Sequence, residues 1–254
     1  MIDLSDPYQR IFWSADVDDE STLISWIDQM PQLWGIKIDR AFVDENEWGI
    51  FPLLHERGIC VFADAKLYEI PTKLEKLARI HCRKAAPWML NTIAGTMSNG
   101  NYYNLNPAIK GGLDGLKRFA NVCHDYGVRP CAVTVLTTVE EEVALNQYNG
   151  RSAREQVLYY VEELQKAGIT DVVCAPTEAE AIRKVSLFDD MVLHTPGVRM
   201  PWSPPDDQAR TLTVSEAIQA GSATLVIGRP ITNGPGTPTE NLDAIAAEVQ
   251  AVLN

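Results

Sequence analysis

The stretch LQKAGITDVVCA (164–175) shows a helical pattern followed directly by a strand pattern, and this order indicates the fold class. Its first half ends an amphipathic pattern at Gly168, and glycine is the residue type that commonly terminates a helix. The short apolar run at 171–175 follows almost at once and has the length of a buried strand. QAGSATLVIG (219–228) repeats the same order further along the sequence. A helix that is followed directly by a buried strand is typical of α/β proteins built on a parallel sheet.

Short apolar runs of this kind recur along the whole sequence, and amphipathic segments separate them. Strands are predicted at 11–16, 34–38, 60–64, 87–93, 130–136, 171–175, 190–194 and 224–228. Eight strand-then-helix units in 254 residues favour an α/β protein with one (β/α)8 TIM barrel. Because no linker divides the sequence, we predict a single domain over residues 1–254. A doubly wound open sheet is the alternative that the same alternation allows.

The composition limits the partners and the compartment. A formal net charge of -12 argues against binding to nucleic acid or to an anionic membrane surface. No apolar run approaches the roughly 20 residues of a membrane span, and MIDLSDPYQR (1–10) lacks the apolar region of a secretory signal. The five cysteines are scattered without a CxxC motif, so we predict reduced thiols in a cytoplasmic protein. The four histidines have no paired metal-binding spacing, and no protein-bound metal is predicted.

Charged and hydroxyl-bearing residues collect where the predicted strands end. In a (β/α)8 barrel the chemistry takes place at that rim, where strands run into the following loops. One such residue could simply cap a loop, but several charges together are costly to desolvate unless they pair. The residues at this rim are Asp16, Lys37, Asp39, Asp64, Lys66, Thr137 and Thr138.

Four of the charged residues form a candidate catalytic network of alternating sign: Lys37, Asp64, Lys66 and Glu69. An opposite charge a few ångströms away favours the ionised form of each group. Asp64 and Lys66 are two residues apart on extended chain, so both side chains can face the barrel mouth. Lys66 then stays protonated and held in place, as a proton donor must be. Glu69 lies beyond them, at the start of the next predicted helix.

The segment GRPIT (228–232) after the last strand has the composition of a phosphate site. Gly228 allows the backbone to approach a ligand closely, and the guanidinium of Arg229 offers a fork of donors suited to phosphate. The loops after strands 7 and 8 of such barrels often bind phosphate. Arg199 and Gln208, from the long loop after strand 7, could close the same site. The alternative is that GRP forms only a turn.

Several longer motifs together resemble the orotidine 5'-phosphate decarboxylase family, whose members complete UMP synthesis. They are, in chain order, DVDDE (16–20), Lys37, DAKLYEIP (64–71), AVTVLTT (132–138), DVVCAPTEA (171–179), TPGVR (195–199), DDQARTLTVSEAIQAG (206–221) and LVIGRPIT (225–232). Their order and spacing are those of the family. The resemblance implies a TIM barrel that acts on a small-molecule nucleotide without a metal or an organic cofactor.

The resemblance also implies a role for each matching residue. Lys66 corresponds to the lysine that protonates C6 as CO2 leaves, and Asp64 to a carboxylate beside the substrate carboxylate. Asp16 and Lys37 correspond to residues that bind the ribose hydroxyls. Glu69 corresponds to an acid that enters the active site of the partner subunit in a homodimer. The pyrimidine and phosphate contacts correspond to Thr138, Pro196, Arg199, Gln208, Gly228 and Arg229.

The sequence departs from the family pattern at several positions. Glu69 replaces an aspartate, and Lys73 replaces a threonine that reaches a ribose hydroxyl, for which Thr72 is the nearest substitute. Asp39 stands where a glycine is usual and Thr138 where a serine is usual, and LNTIAGTMSNG (90–100) lacks a histidine. A misplacement of about 1 Å can lower a rate roughly 100-fold, so the substrate stays open. The hypotheses are decarboxylation of orotidine 5'-phosphate, a sister lyase acting on a modified pyrimidine nucleotide or a sugar phosphate, and an inactive ligand-binding paralogue.

Overall fold

Eight parallel strands close into a barrel in the structure, a computed structural model that describes residues 2–95, 111–203 and 210–254. The strands are β1 (Ile11–Ser14), β2 (Gly35–Asp39), β3 (Cys60–Leu67), β4 (Met89–Ile93), β5 (Arg129–Val133), β6 (Asp171–Val173), β7 (Val192–Thr195), β8 (Val198–Arg199), β9 (Leu212–Thr213) and β10 (Thr224–Ile227). Around the barrel the order is β1-β10-β7-β6-β5-β4-β3-β2, while β8 and β9 form a separate two-stranded sheet. The predicted (β/α)8 barrel is confirmed, and the open-sheet alternative is wrong.

Helices surround the barrel. They are α1 (Glu20–Asp28), α2 (Arg40–Asn46), α3 (Ile50–Glu56), α4 (Pro71–Ala85), α5 (Gly111–Asp125), α6 (Glu141–Gln147), α7 (Ala153–Lys166), α8 (Pro176–Arg183), α9 (Val214–Gln219), α10 (Arg229–Thr232) and α11 (Pro238–Leu253), with 3-10 turns at Tyr8–Arg10 and Ser186–Phe188. Within the described ranges, every helix is too short or too polar to cross a lipid bilayer.

The stretch at 164–175 folds as its sequence predicts. A capping box between Ser152 and Glu155 starts α7. Gly168 ends the helical turn with a φ of 77°, which is a left-handed conformation that glycine adopts without a steric penalty. The amide of Ile169 then donates to the carbonyl of Leu164 at 3.0 Å, which satisfies a carbonyl of the last turn before β6 begins.

An aromatic layer fills the barrel interior. The ring of Phe12 lies 5.2 Å from that of Trp34, 5.7 Å from that of Trp88 and 6.0 Å from that of Phe62, measured between centroids. Gly35 leaves room for this packing, because a Cβ atom there would lie 2.7 Å from two ring carbons of Phe12. The larger apolar clusters lie between the barrel and its helices. All five cysteines are free thiols, and four of them are buried.

Strand β3 is longer than predicted and contains an irregularity. It was expected to end at Asp64, but pairing with β4 continues to Leu67. Ala63 pairs with Leu90 and Leu67 with Thr92, so four steps on β3 match two steps on β4. The extra length is a bulge, a device that redirects side chains at the end of a strand. Lys66 lies inside it with a φ of 42°, in the left-handed region.

Candidate active site

An open pocket lies at the carboxyl ends of the barrel strands, the rim where the sequence predicts the chemistry. Its apolar lining includes Phe62, Val173 and Val226. Of the residues predicted for the site, the lining includes Asp16, Lys37, Asp64, Lys66, Pro196, Arg199, Gly228 and Arg229. The fold therefore brings together residues from β1, β2 and β3 with residues from the segments that follow β7 and β10.

Two lysines converge on one carboxylate oxygen in this pocket. The Nζ atom of Lys66 lies 2.7 Å from Oδ2 of Asp64, and the Nζ atom of Lys37 lies 3.0 Å from the same oxygen. Strands β2 and β3 are parallel neighbours, and Asp39 on β2 pairs with Asp64 on β3. Lys37 lies two residues before Asp39, on the same face of β2, so its long side chain reaches Asp64. The Lys37–Asp64–Lys66 part of the predicted network is thus present as a contiguous cluster.

Buried Asp64 and partly buried Lys37 are held in their charged forms. Burial opposes ionisation of Asp64, which is 6 % exposed, yet the two lysines and two hydrogen bonds outweigh it and hold its pKa at about 2. Burial likewise opposes the charge on Lys37, but the carboxylate of Asp64, with Asp16 and Asp39 further away, raises its pKa. Asp64 and Lys37 therefore form a fixed pair of opposite charges at the pocket.

Asn91 is a site residue that the sequence analysis missed. It is fully buried on β4. Its Nδ2 atom donates to Oδ1 of Asp64 at 2.7 Å, and its Oδ1 atom accepts from the backbone amide of Lys66 at 2.7 Å. A polar amide inside PWMLNTI (87–93), an otherwise mostly apolar strand, was the available signal, since buried polar groups need partners.

The segment after β10 packs closely against β1. A Cβ atom on Gly228 would lie 3.2 Å from the carbonyl oxygen of Ser14 and 3.4 Å from Oδ2 of Asp16. Glycine therefore lets this segment approach the strand beside it, and Arg229 follows at the first position of α10. Gln208, predicted for the same site, lies outside the described residues.

Three predicted residues lie apart from the pocket. Among the described residues, the lining includes Thr137 but not Thr138, Thr72 or Glu69. Thr72 is in the first turn of α4, and Thr138 is exposed. Glu69 accepts a hydrogen bond at 3.2 Å from the amide of Ile70, in the connection between β3 and α4.

Asp39 has a local structural role. Its carboxylate accepts a hydrogen bond at 2.9 Å from the amide of Phe42 and caps the amino end of α2. Aspartate is among the preferred residues at this position, because it satisfies an amide that the helix leaves unpaired. The carboxylate that departs from the family pattern is thus used for capping, and it is absent from the described pocket lining.

The described ranges contain no group of three or more histidine, cysteine, aspartate or glutamate side chains arranged to hold a metal ion. The polar groups of the pocket are chiefly ammonium, guanidinium and carboxylate groups, and both ammonium groups pair with the carboxylate of Asp64. Such a donor set suits an anionic organic ligand better than a cation.

Comparisons with known proteins identify the family of the chain. Residues 9–245 match the model of the "Orotidine 5'-phosphate decarboxylase / HUMPS family". The orotidine 5'-phosphate decarboxylase of Actinobacillus succinogenes is 32% identical over 244 residues, which cover 94% of this chain and 97% of that protein. The enzyme of the same name from Heliobacterium modesticaldum is 31% identical over 228 residues, covering 89% and 90%.

Solved structures support the fold. The crystal structure of orotidine 5'-phosphate decarboxylase from Lactobacillus acidophilus superposes with a TM-score of 0.75 at 23% identity, covering 94% of this chain and 98% of that one. An uncharacterized conserved protein from Geobacillus kaustophilus gives a TM-score of 0.73 at 20% identity. With the family match over nearly the whole length, these findings show that the chain belongs to the orotidine 5'-phosphate decarboxylase / HUMPS family.

Proposed function

We propose that the chain converts orotidine 5'-phosphate to UMP and CO2 without a cofactor. The observation that carries this proposal is the cluster in which Lys37 and Lys66 share the buried carboxylate of Asp64 inside the pocket. Family membership supports the reaction class, since the curated relatives are decarboxylases, that is carboxy-lyases, by name. The reaction needs a fixed positive charge beside the carbon that loses CO2, and this cluster supplies one.

The chemistry requires one proton and one stabilising charge. Breaking the bond between C6 and its carboxyl group leaves an electron pair on C6, in the ring plane and out of conjugation with the π system. With no cofactor to accept that pair, the protein must stabilise it electrostatically. The ammonium of Lys66 does so and then transfers a proton to C6, and Lys66 regains its proton from water. Asp64 holds that ammonium in place through the 2.7 Å contact.

Binding of the substrate is assigned to the residues around this cluster. Arg229 pairs with the phosphate through its guanidinium fork, beside the closely packed backbone of Gly228. Asp16 and Lys37, which both line the pocket, bind the ribose hydroxyls. The remaining ribose, pyrimidine and phosphate contacts are assigned to Thr72, Thr138, Pro196, Arg199 and Gln208. Binding energy from the phosphate, far from C6, is then available to drive organisation of the site.

The proposal includes a homodimer in which Glu69 enters the active site of the partner subunit. Glu69 is absent from the described lining of its own chain's pocket, although it follows β3 directly. It lies between Tyr68 and Ile70, whose side chains are each 37% exposed. A two-fold interface over this segment would cover both apolar side chains and place each Glu69 across the axis.

The first experiment tests the reaction itself. Purified protein is incubated with orotidine 5'-phosphate in excess EDTA, and UMP is followed by chromatography. We expect stoichiometric release of UMP and CO2. No UMP under any condition, together with Mg²⁺-dependent turnover of a phosphorylated sugar, would instead identify a sister lyase.

The second experiment tests the proton donor. Lys66→Ala is expected to lose the chemical step, because the developing carbanion loses its stabilising charge, while UMP still binds. Lys184→Ala is the matched control, since Lys184 is an exposed lysine that pairs with Glu180 on α8. Single-turnover rates and UMP affinity are measured for both. Substantial decarboxylation by Lys66→Ala would contradict the assigned role.

The third experiment tests the dimer by complementation. Lys66→Ala chains and Glu69→Ala chains, each nearly inactive alone, are mixed and allowed to exchange subunits. Each mixed dimer has one site with both lesions and one site with neither, so about one quarter of all sites regain activity at random 1:1 exchange. No recovery in verified mixed dimers would refute action across the interface, and high activity of Glu69→Ala alone would refute a catalytic role for Glu69.

A further inference from the structure

Asn91 connects the two reactive groups of the proposed site through a single side chain. Its amide group bonds at one end to the side chain of Asp64 and at the other to the backbone of Lys66, each at 2.7 Å. Both hydrogen-bonding atoms of the Asn91 side chain are thereby engaged, and the side chain is fully buried. A buried side-chain amide that makes two hydrogen bonds has one low-energy orientation, so its position is fixed.

The first consequence concerns the carboxylate of Asp64. Oδ2 accepts both lysine contacts, at 2.7 and 3.0 Å, while Oδ1 accepts the hydrogen bond from Asn91. This division stops the carboxylate from rotating about its terminal torsion, which is otherwise broad for aspartate. Oδ2 is therefore fixed as the oxygen that orients the lysines.

The second consequence concerns the backbone of Lys66. Its φ of 42° lies in the left-handed region, which is uncommon for residues other than glycine. The strand register shifts between Ala63 and Leu67, so Lys66 falls in the bulge between β3 and β4. The oxygen of Asn91 accepts from the amide of Lys66 itself. The hydroxyl of Thr92 donates one residue further on, to the carbonyl of Leu67 at 2.7 Å. Strained conformations of this kind persist at functional sites where the surroundings hold them.

The geometry points to Asn91 as a positioning residue for the decarboxylation, one that fixes the Lys66 ammonium relative to Asp64 without touching the substrate. This inference rests on the proposed function. It goes beyond that function because it assigns a role to a residue on β4, outside the described pocket lining, and gives the reason for the bulge in β3.

The test uses the near-isosteric substitution Asn91→Asp. When ionised, the new side chain still accepts from the Lys66 amide but cannot donate to Asp64, and two carboxylates then face each other. Like charges raise the pKa of such a pair, and protonation restores the lost donor. We therefore expect kcat to fall about 100-fold at pH 8 with KM for orotidine 5'-phosphate changed less than about threefold. Activity should recover as the pH falls through the raised pKa of the pair. The charged and titratable groups around it are Lys37, Lys66, Asp16, Asp39 and, from β5, Cys131.

Thr92→Val is the matched control. It removes a hydrogen bond to the same bulge, at the next position of the same strand, but leaves the contacts of Asp64 and Lys66 intact. We expect lower stability, kcat within about threefold of the parent, and the pH profile of the parent. A parent-like kcat and pH profile in folded Asn91→Asp would overturn the inference. It would also be overturned if Thr92→Val showed the same loss of activity at pH 8 and the same recovery at lower pH.

A stability measurement separates this inference from the proposed function. The exchange variant Asp64→Asn/Asn91→Asp reverses donor and acceptor between the two side chains, so the hydrogen bond is kept. The loss of free energy of unfolding in this double variant should be smaller than the sum of the losses in Asp64→Asn and Asn91→Asp, whereas its kcat should not recover, because the carboxylate no longer faces the lysines. Additive losses would refute the coupling, whatever the substrate. If the parent itself produces no UMP, the proposed function fails instead, and the positioning role in decarboxylation fails with it.

Discussion

The charge cluster makes a quantitative prediction about acid. Asp64 is ionised in the fold with a pKa of about 2, against an ordinary value of 3.8. Each pKa unit between the folded and unfolded states is equivalent to about 1.4 kcal/mol, so the ionised carboxylate contributes about 2.4 kcal/mol to the free energy of unfolding at neutral pH. For a carboxyl group with a lowered pKa, this contribution is complete above the unfolded value and is lost as the pH falls through the folded value. By pH 3 about 1.3 kcal/mol of it remains.

The assay compares the parent with Asp64→Asn by urea unfolding at several pH values. The tryptophan fluorescence of the chain reports the transition, and the difference in the free energy of unfolding between the two proteins isolates the titration of Asp64. This difference should be constant from pH 5 to pH 7 and shrink by about 1 kcal/mol between pH 5 and pH 3. Repeating the comparison in a Lys37→Met background should move the decline to higher pH, because one of the two lysines that favour ionisation is gone. A difference that stays flat to pH 3, or that grows, would refute the reasoning.

Other parts of the structure lead to further expectations. Arg229→Ala should weaken UMP binding by about 2–4 kcal/mol in calorimetry and weaken uridine binding far less, whereas equal losses for both would exclude Arg229 as the phosphate contact. Arg210→Met leaves the buried carboxylate of Glu178, 2.7 Å from Arg210 in the parent, without its ion pair and should cost about 3–5 kcal/mol in urea unfolding. The double variant with Glu178→Leu should recover most of that, and an additive cycle would contradict the pairing. Gly35→Ala should cost about 1–3 kcal/mol because its Cβ atom would lie 2.7 Å from the ring of Phe12, and an unchanged midpoint would show that the ring yields freely.

The barrel could be predicted from sequence because its determinants are local and repeated. Gly168 ends a helix through its own backbone preference, and the apolar run that follows is too short for anything but a strand. Eight such units favour a sheet that closes into a barrel, and in a closed parallel barrel the carboxyl ends of all the strands lie on one rim. The Lys37–Asp64–Lys66 cluster follows from the same rule, because it needs only the ends of two adjacent strands, β2 and β3.

The bulge in β3 and the role of Asn91 could not be predicted in the same way. A bulge is defined by the pairing of two strands, and no local pattern in DAKLYEIP (64–71) shows how β4 will align with it. Asn91 acquires its function from two partners 25 and 27 residues away. Asp39 is the opposite case, since a carboxylate three residues before Phe42 is a capping signal that the local sequence already contains.

A second polar network is centred on Asp171 and His194. On the opposite side of the aromatic layer, Asp171 accepts from Arg129 at 2.8 and 2.9 Å and contacts the ring of His194 at 2.9 Å. The ring of Phe62 lies between the two networks, lining the pocket on one side and lying 6.4 Å from the ring of His194 on the other. Each network satisfies its own charges, and the ring of Phe62 separates them. The floor of the pocket is therefore apolar at Phe62, while Lys37, Asp64 and Lys66 carry the charges at its rim. In the proposed decarboxylation, a preorganised ammonium at this rim would stabilise the developing carbanion without the reorganisation that solvent requires.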